Sequence, residues 1–239
     1  DYVAERMAGG GMGQAGVTTA PFEAWIDDWA MAGPSFEDMR LTASGAEFAF
    51  DMQLLAQGPL IFQGDRGYSV KSEEGQASYY YSQPFFDIDG VLTLPEGDVA
   101  VSGRAWLDRE WSSQPLADNQ TGWDWFSLSF DEGEKMMGFR LRQTDGAHFT
   151  AGTWITPDGE TEAFENGVFN ADPLETSDVD GREVPTVWRV TVPQKGVDIT
   201  VRALNEQSWM DVNVPYWEGP VTLSGSHEGI GYLEMTGYE

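Results

Sequence analysis

The sequence predicts an all-β protein of two antiparallel domains, and three observations carry that prediction. Fifteen short segments of alternating or β-rich character recur along the 239 residues. Turn signals punctuate them: Asp89-Gly90, Glu132-Gly133, Asp145-Gly146, Asp158-Gly159, Asp180-Gly181 and Lys195-Gly196. No stretch sustains a long apolar period of 3.6 residues, and the best helical candidate is a short piece over Tyr2 to Met7. Many short strands at this spacing indicate barrels or sandwiches.

In chain order the first half supplies "FEAWIDDWAM", "MRLTAS", "EFAFDMQLLA", "PLIFQG", "ASYYYSQP", "FDIDGVLTL" and "VAVSGRAWLDREW". The second half supplies "GWDWFSLSF", "KMMGFRLRQ", "HFTAGTWI", "GETEAFENGVF", "TVWRVTVP", "VDITVRAL", "PVTLSGS" and "GYLEMTGY". The polar run "SSQPLADNQTG" is the natural seam between two domains, which places them at residues 1–118 and 119–239. The Gly-rich start, "DYVAERMAGGGMGQAG", reads as a processed, trimmed or broken end, and "GGGMG" lacks the Lys and the strand-to-helix setting of a phosphate loop.

Composition narrows the function. Hydrophobic residues make up 41% and aromatics 13%, ample for packed cores. Lys+Arg 13 against Asp+Glu 40 gives a net charge of −27, so nucleic acid and anionic membrane surfaces are disfavoured partners. With no cysteine and only His148 and His227, thiol chemistry, disulfides and a His-rich metal centre are excluded. No metal or cofactor is expected. No apolar run has the length of a membrane-spanning helix. There is no G-x-S-x-G motif, and "LSGSHEG" sets Ser226 beside His227 without a nucleophile elbow.

The stretch from 103 to 130, "GRAWLDREWSSQPLADNQTGWDWFSLSF", concentrates the chemistry. On a strand, Trp106, Asp108 and Glu110 share one face, and Leu107, Arg109 and Trp111 the other. Two carboxylates beside an indole are unusual on a barrel wall. If they point inward, desolvation and mutual repulsion raise one pKa and make a general acid. Ion pairing of these charges across strands is the structural alternative. In the next strand, Trp123, Trp125, Ser127 and Ser129 share one face, leaving Asp124, Phe126, Leu128 and Phe130 on a core face. Asp124 then needs a partner, and Arg140 or Arg142 can supply it. Tyr79, Tyr80 and Tyr81, with Tyr216 and Trp217 of "YWEG", add aromatic groups suited to a ligand cavity. The expectation is one partly wet cavity shared by at least three of Trp106, Asp108, Glu110, Trp123, Trp125, Tyr79 and Tyr81, near the domain junction.

The segments "VSGRAWLDREWSSQPL", "GWDWFSLSFDEG", "GQASYYYSQP", "PYWEG" and "GYLEMTGYE" resemble those of the AttH-like proteins, from about Ala15 onward and in the expected order. This two-domain lipocalin-like family is often labelled predicted secreted hydrolases. It is related to the carotenoid 1,2-hydratases (hydroxyneurosporene synthases), to kievitone hydratase and to fungal lipocalin-like Diels–Alderases. The resemblance implies two lipocalin-like β-barrels side by side, with an apolar pocket near their junction and a periplasmic or secreted location. It also implies hydration or cyclisation of an isoprenoid or polyketide-like alkene without a cofactor. The catalytic carboxylates would be Asp108 and Glu110. The substrate would rest on Trp106, Arg109, Trp111, Trp123, Trp125, Tyr79, Tyr81, Tyr216 and Trp217. The chain departs from the carotenoid hydratases, which carry His and Asn where it has Leu107, Arg109 and Glu110. Family members also begin with a further β segment bearing an "EWWY"-like motif, so the first barrel is expected to lack its first strands. No visible nucleophile supports the hydrolase label. The rival expectations are a non-catalytic lipid or pigment carrier, and an inter-domain salt-bridge network made by the "WLDREW" charges.

Overall fold

In the computed structural model, described over residues 3–113 and 116–238, the chain is all-β, and every recorded strand register is antiparallel. It divides into two compact units, one of residues 1–59 and 83–107, the other of residues 60–82 and 108–239. A single cut near Asn119 does not reproduce this discontinuous division. Two long strands each contribute one stretch to either unit, a pattern that turn signals do not reveal. Gln114 and Pro115 of the expected seam lie outside the described residues, as does Tyr2 of the expected helix. Residues 3–8 form no helix.

The first unit is a meander of β1 (Ala15–Thr19), β2 (Phe22–Ile26), β3 (Trp29–Ser35), β4 (Asp38–Ser44) and β5 (Ala49–Ala56), each paired with the next. "FEAWIDDWAM" is therefore two strands. Asp27 at their turn adopts φ 51°, the left-handed conformation that Asp tolerates better than most residues. Alternation places Met39, Met52 and Leu54 in the core with Phe86, where Phe36 meets Phe22 edge-on at 5.6 Å. Two short strands, β6 (Ile61–Phe62) and β7 (Tyr68–Val70), precede β8 (Ala77–Leu94) and β9 (Gly97–Trp111). Asp89-Gly90 is not a turn. It lies inside β8, where Gly90 pairs with Met52, and a Cβ there would sit 2.1 Å from the Asp51 carbonyl oxygen. The glycine serves close strand approach rather than chain reversal.

The second unit holds a ten-stranded sheet. Its strands are β10 (Gln120–Phe130), β11 (Lys135–Gln143), β12 (His148–Ile155), β13 (Thr161–Phe164), β14 (Asn170–Val179), β15 (Arg182–Val192), β16 (Val197–Ala203), β17 (Trp209–Met210), β18 (Tyr216–Gly225) and β19 (Gly229–Met235). The order is β13-β12-β11-β10-β19-β18-β16-β15-β14, with β17 on β18, so the last strand lies against the first. The other five Gly-containing turn signals all fall between strands. Even-numbered residues of β10 face the core: Phe126, Leu128 and Phe130 have no exposed surface, and Phe126 meets Trp188 edge-on at 5.5 Å. Asp124 is buried on the same face. It accepts from Arg140 Nε at 2.8 Å, from Arg142, and from the Tyr238 hydroxyl at 2.9 Å, so both expected arginines serve it.

Candidate functional site

Because even positions of β10 fill the core, Trp123 and Trp125 stand on the opposite face of the sheet. The ladders set Leu141 and Phe139 of β11 beside them, and Glu234 of β19 beside Trp125. These five side chains line one part of a cavity of about 370 Å³. Lys71, Ser78, Tyr80, Asp108, Glu110 and Trp111 line the rest, with Ser112 and Leu116. All thirteen belong to the second unit.

Charge inside the cavity is strongly ordered. Lys71 is 7% exposed, and its Nζ lies 2.7 Å from Glu110 Oε1. The same ammonium sits 4.0 Å from the centroid of the Phe139 ring and 5.0 Å from that of Tyr80. Burial pulls the Lys71 pKa down, partly offset by Glu110 and then Asp108. Glu110 also accepts the Ser78 hydroxyl, and Asp108 accepts that of Ser82. Tyr80 takes the Trp125 indole N–H on its hydroxyl oxygen at 2.9 Å. Burial first, and then the charges of Asp108 and Glu110, hold the phenol pKa well above its ordinary value.

Glu234 occupies a different setting. Its Oε1 accepts the Trp123 N–H at 2.7 Å, while Glu218 stands directly opposite on β18. Burial raises the Glu234 pKa, and the indole hydrogen bond only partly reverses this. Glu218 is pushed up to about 7, by burial first and by Glu234 second. Supporting hydrogen bonds fix the polar wall. Gln120 Nε2 donates to the Lys71 carbonyl at 2.7 Å and Gln63 Nε2 to Ser82 Oγ at 2.8 Å. Among the described residues, no group of three or more His, Asp or Glu side chains is placed to hold a metal ion.

Of the seven side chains expected to share one cavity, Asp108, Glu110, Trp123 and Trp125 do so, and Trp111 joins them. Tyr79 and Tyr81 do not line it. Ser78, Tyr80 and Ser82 turn to the buried side of β8, so parity selects the middle tyrosine. Tyr79 is exposed and stacks on Trp111 at 5.8 Å; Tyr81 meets the same indole edge-on, and Arg109 lies 6.0 Å from it. Trp106 falls in the first unit. Trp217 is fully buried in the second core, donating to the Glu206 carbonyl at 2.7 Å, and Tyr216 leans on Trp123 at 6.2 Å. Lys71, Phe139, Leu141 and Glu234 are not singled out by the sequence, whereas Tyr80 is, as one of three consecutive tyrosines. Alternation in "GYLEM", with Leu233 and Met235 inward, does place Glu234 on the face of Trp123 and Trp125.

An outward sheet face bearing indoles and carboxylates over a closed apolar core defines a cavity-bearing β protein. The chain belongs to the AttH-like family, whose profile matches residues 1–238. A crystal structure described as AttH, from Nitrosomonas europaea, superposes with a TM-score of 0.85 at 31% identity, covering 90% of this chain and 69% of that one. Kievitone hydratase from Nectria haematococca has the same fold, with a TM-score of 0.74 at 19% identity over 89% of this chain and 69% of its own. No curated protein sequence matches the chain.

Proposed function

We propose that this protein binds an apolar, isoprenoid-like alkene in the second-unit cavity and adds water to it, or closes a ring, through acid-assisted protonation. The observation that carries the reading is the joint lining of one 370 Å³ space by Trp123, Trp125, Phe139 and Leu141 with Asp108, Glu110 and Glu234. Apolar walls take the hydrocarbon; the indole faces and anions stabilise positive charge where it develops. Glu110, held by Lys71 and Ser78, and Asp108, held by Ser82, are acceptors and fit the role of anions facing the cation. Membership of the AttH-like family and the fold shared with a hydratase support this class of chemistry. No redox step is involved, and water is the sole co-reactant.

The test is incubation of the protein with geraniol and with farnesol, short acyclic terpenoids, followed by mass analysis. The expected result is a product heavier by one water, or an isomer of equal mass when a ring closes, and a large loss of that product in an Asp108→Asn, Glu110→Gln double variant. Unchanged terpenoid recovered after saturable quenching of tryptophan fluorescence identifies a carrier instead.

A further inference from the structure

We infer that Glu234 is the proton donor of this cavity and that Glu218, opposite it on the neighbouring strand, controls when that proton is held. The inference rests on the alkene reading above and adds a catalytic residue to it. Among the described residues three carboxyl groups line the cavity, and their surroundings separate them. Glu110 meets an ammonium and a hydroxyl; Asp108 meets a hydroxyl and the Tyr80 phenol. Among the described residues, the one hydrogen bond recorded for the Glu234 carboxyl comes from the Trp123 indole, and it engages Oε1.

The groups facing Glu234 come from three sides. Across β18 stands Glu218, in register, with Tyr216 two residues before it. Across β10 stand Trp123 and Trp125, neutral and apolar apart from their N–H groups. From β9 the Glu110 carboxylate acts on it, itself neutralised by Lys71. Tyr232 on its own strand is likewise neutral, its phenol pKa raised by burial and by both glutamates. No cation pairs with either Glu218 or Glu234 among the described residues, so two carboxyl groups in register cannot both ionise without repulsion. Burial raises both pKa values; the charge of Glu234 adds to the rise at Glu218, and that of Glu110 to the rise at Glu234.

The step balances without a further reagent. The alkene π pair takes the proton from the Glu234 carboxyl; a C–H bond forms, the O–H bond breaks, and a carbocation remains beside the indoles. Water attacks the cation through oxygen, and the resulting oxonium returns its extra proton to the Glu234 carboxylate. The net change is alkene plus water to alcohol, with the carboxyl restored.

Two measurements on the full chain test this. In protein labelled with carbon-13 at the glutamate carboxyls, the NMR resonance missing from Glu234→Gln is that of Glu234. It is expected to titrate above the ordinary carboxylate range, and at lower pH in Glu218→Gln. Titration together with the exposed glutamates overturns the inference, whatever the activity. In the second measurement geraniol is the probe in deuterated water. Glu234→Gln is expected to lower deuterium incorporation by about 10²–10⁴-fold while geraniol still quenches tryptophan fluorescence. Glu218→Gln is expected to move the basic limb of the rate profile to lower pH. Unchanged incorporation in Glu234→Gln overturns the inference while leaving the alkene reading intact. No incorporation by the native protein sinks the alkene reading, and the inference as a catalytic claim with it, though the titration still reports where Glu234 holds its proton.

Discussion

Replacing Asp124 with alanine removes the carboxylate shared by two guanidinium groups. Asp124 has no exposed surface, and the side chains of Arg140 and Arg142 keep only 8% and 16% of theirs. After the change Arg140 still donates to the Ala171 carbonyl at 2.9 Å and Arg142 to that of Thr236, but neither cation retains a counter-charge there. Breaking a buried pair from one side costs about 3–5 kcal/mol, because the surviving charge stays desolvated. The two carbonyl acceptors place this case near the lower end, about 3 kcal/mol. For a chain of this length that lowers Tm by about 6–12 °C. Arg189→Ala is the control: its pair with Asp198 is 54% and 57% exposed, and solvent screens it, so losing it is expected to leave the unfolding transition nearly unmoved. Urea unfolding followed by tryptophan fluorescence and far-ultraviolet circular dichroism measures both. A loss below about 1 kcal/mol for Asp124→Ala, or an equal loss for the control, refutes the reasoning.

Three further outcomes follow from the same geometry. Tyr80→Phe strands the Trp125 indole N–H in a buried site and is expected to destabilise by about 1–3 kcal/mol, read by urea denaturation. Gly138→Ala drives a Cβ to 2.3 Å from the fully buried Phe169 ring, and overpacking of this kind costs about 1–3 kcal/mol, read as a lower Tm. Glu218 has a folded pKa of about 7 against an ordinary 4.5, so the folded state binds the extra proton between those values. Its contribution to stability is therefore complete below 4.5 and lost as pH rises through 7. Glu218→Gln is expected to flatten that slope in denaturation curves measured across the window and to be more stable than the parent above it.

Much of the second unit was legible because strands such as β16 and β18 alternate cleanly. "GWDWFSLSF" announces one apolar and one Trp/Ser face, and the turn signals from Glu132-Gly133 to Lys195-Gly196 all separate strands. β14 escaped notice since "NADPLETSDV" is polar and carries Pro173. It lies at the edge of the sheet, with a register shift beside the proline, where neither alternation nor an unbroken ladder is required. β8 is two segments in the sequence, broken after Pro84, and Asp89-Gly90 reads as a turn signal because a glycine needed for close packing looks the same in sequence as one needed for a turn. The aromatic and acidic half of the site was visible as a concentration of residues over 103–130. Its other half was not: Lys71 sits in the loop "KSEEGQ", and only the fold brings that loop to Phe139. Tyr80 against Tyr79 and Tyr81 is a choice of strand parity, which three consecutive tyrosines leave open.

The location of the bound hydrocarbon tests the central claim most directly. Crystals soaked with a brominated acyclic terpenoid, with the bromine found by anomalous scattering, give that location without relying on turnover. The account predicts the bromine in the second-unit cavity, against Trp123 and Trp125 and beside Glu234. The first unit offers a competing space of about 700 Å³, walled by Trp25, Trp29, Met31 and Phe50 with no charged lining residue among the described ones. Bromine there, with the Trp123 cavity empty at saturation, contradicts the account.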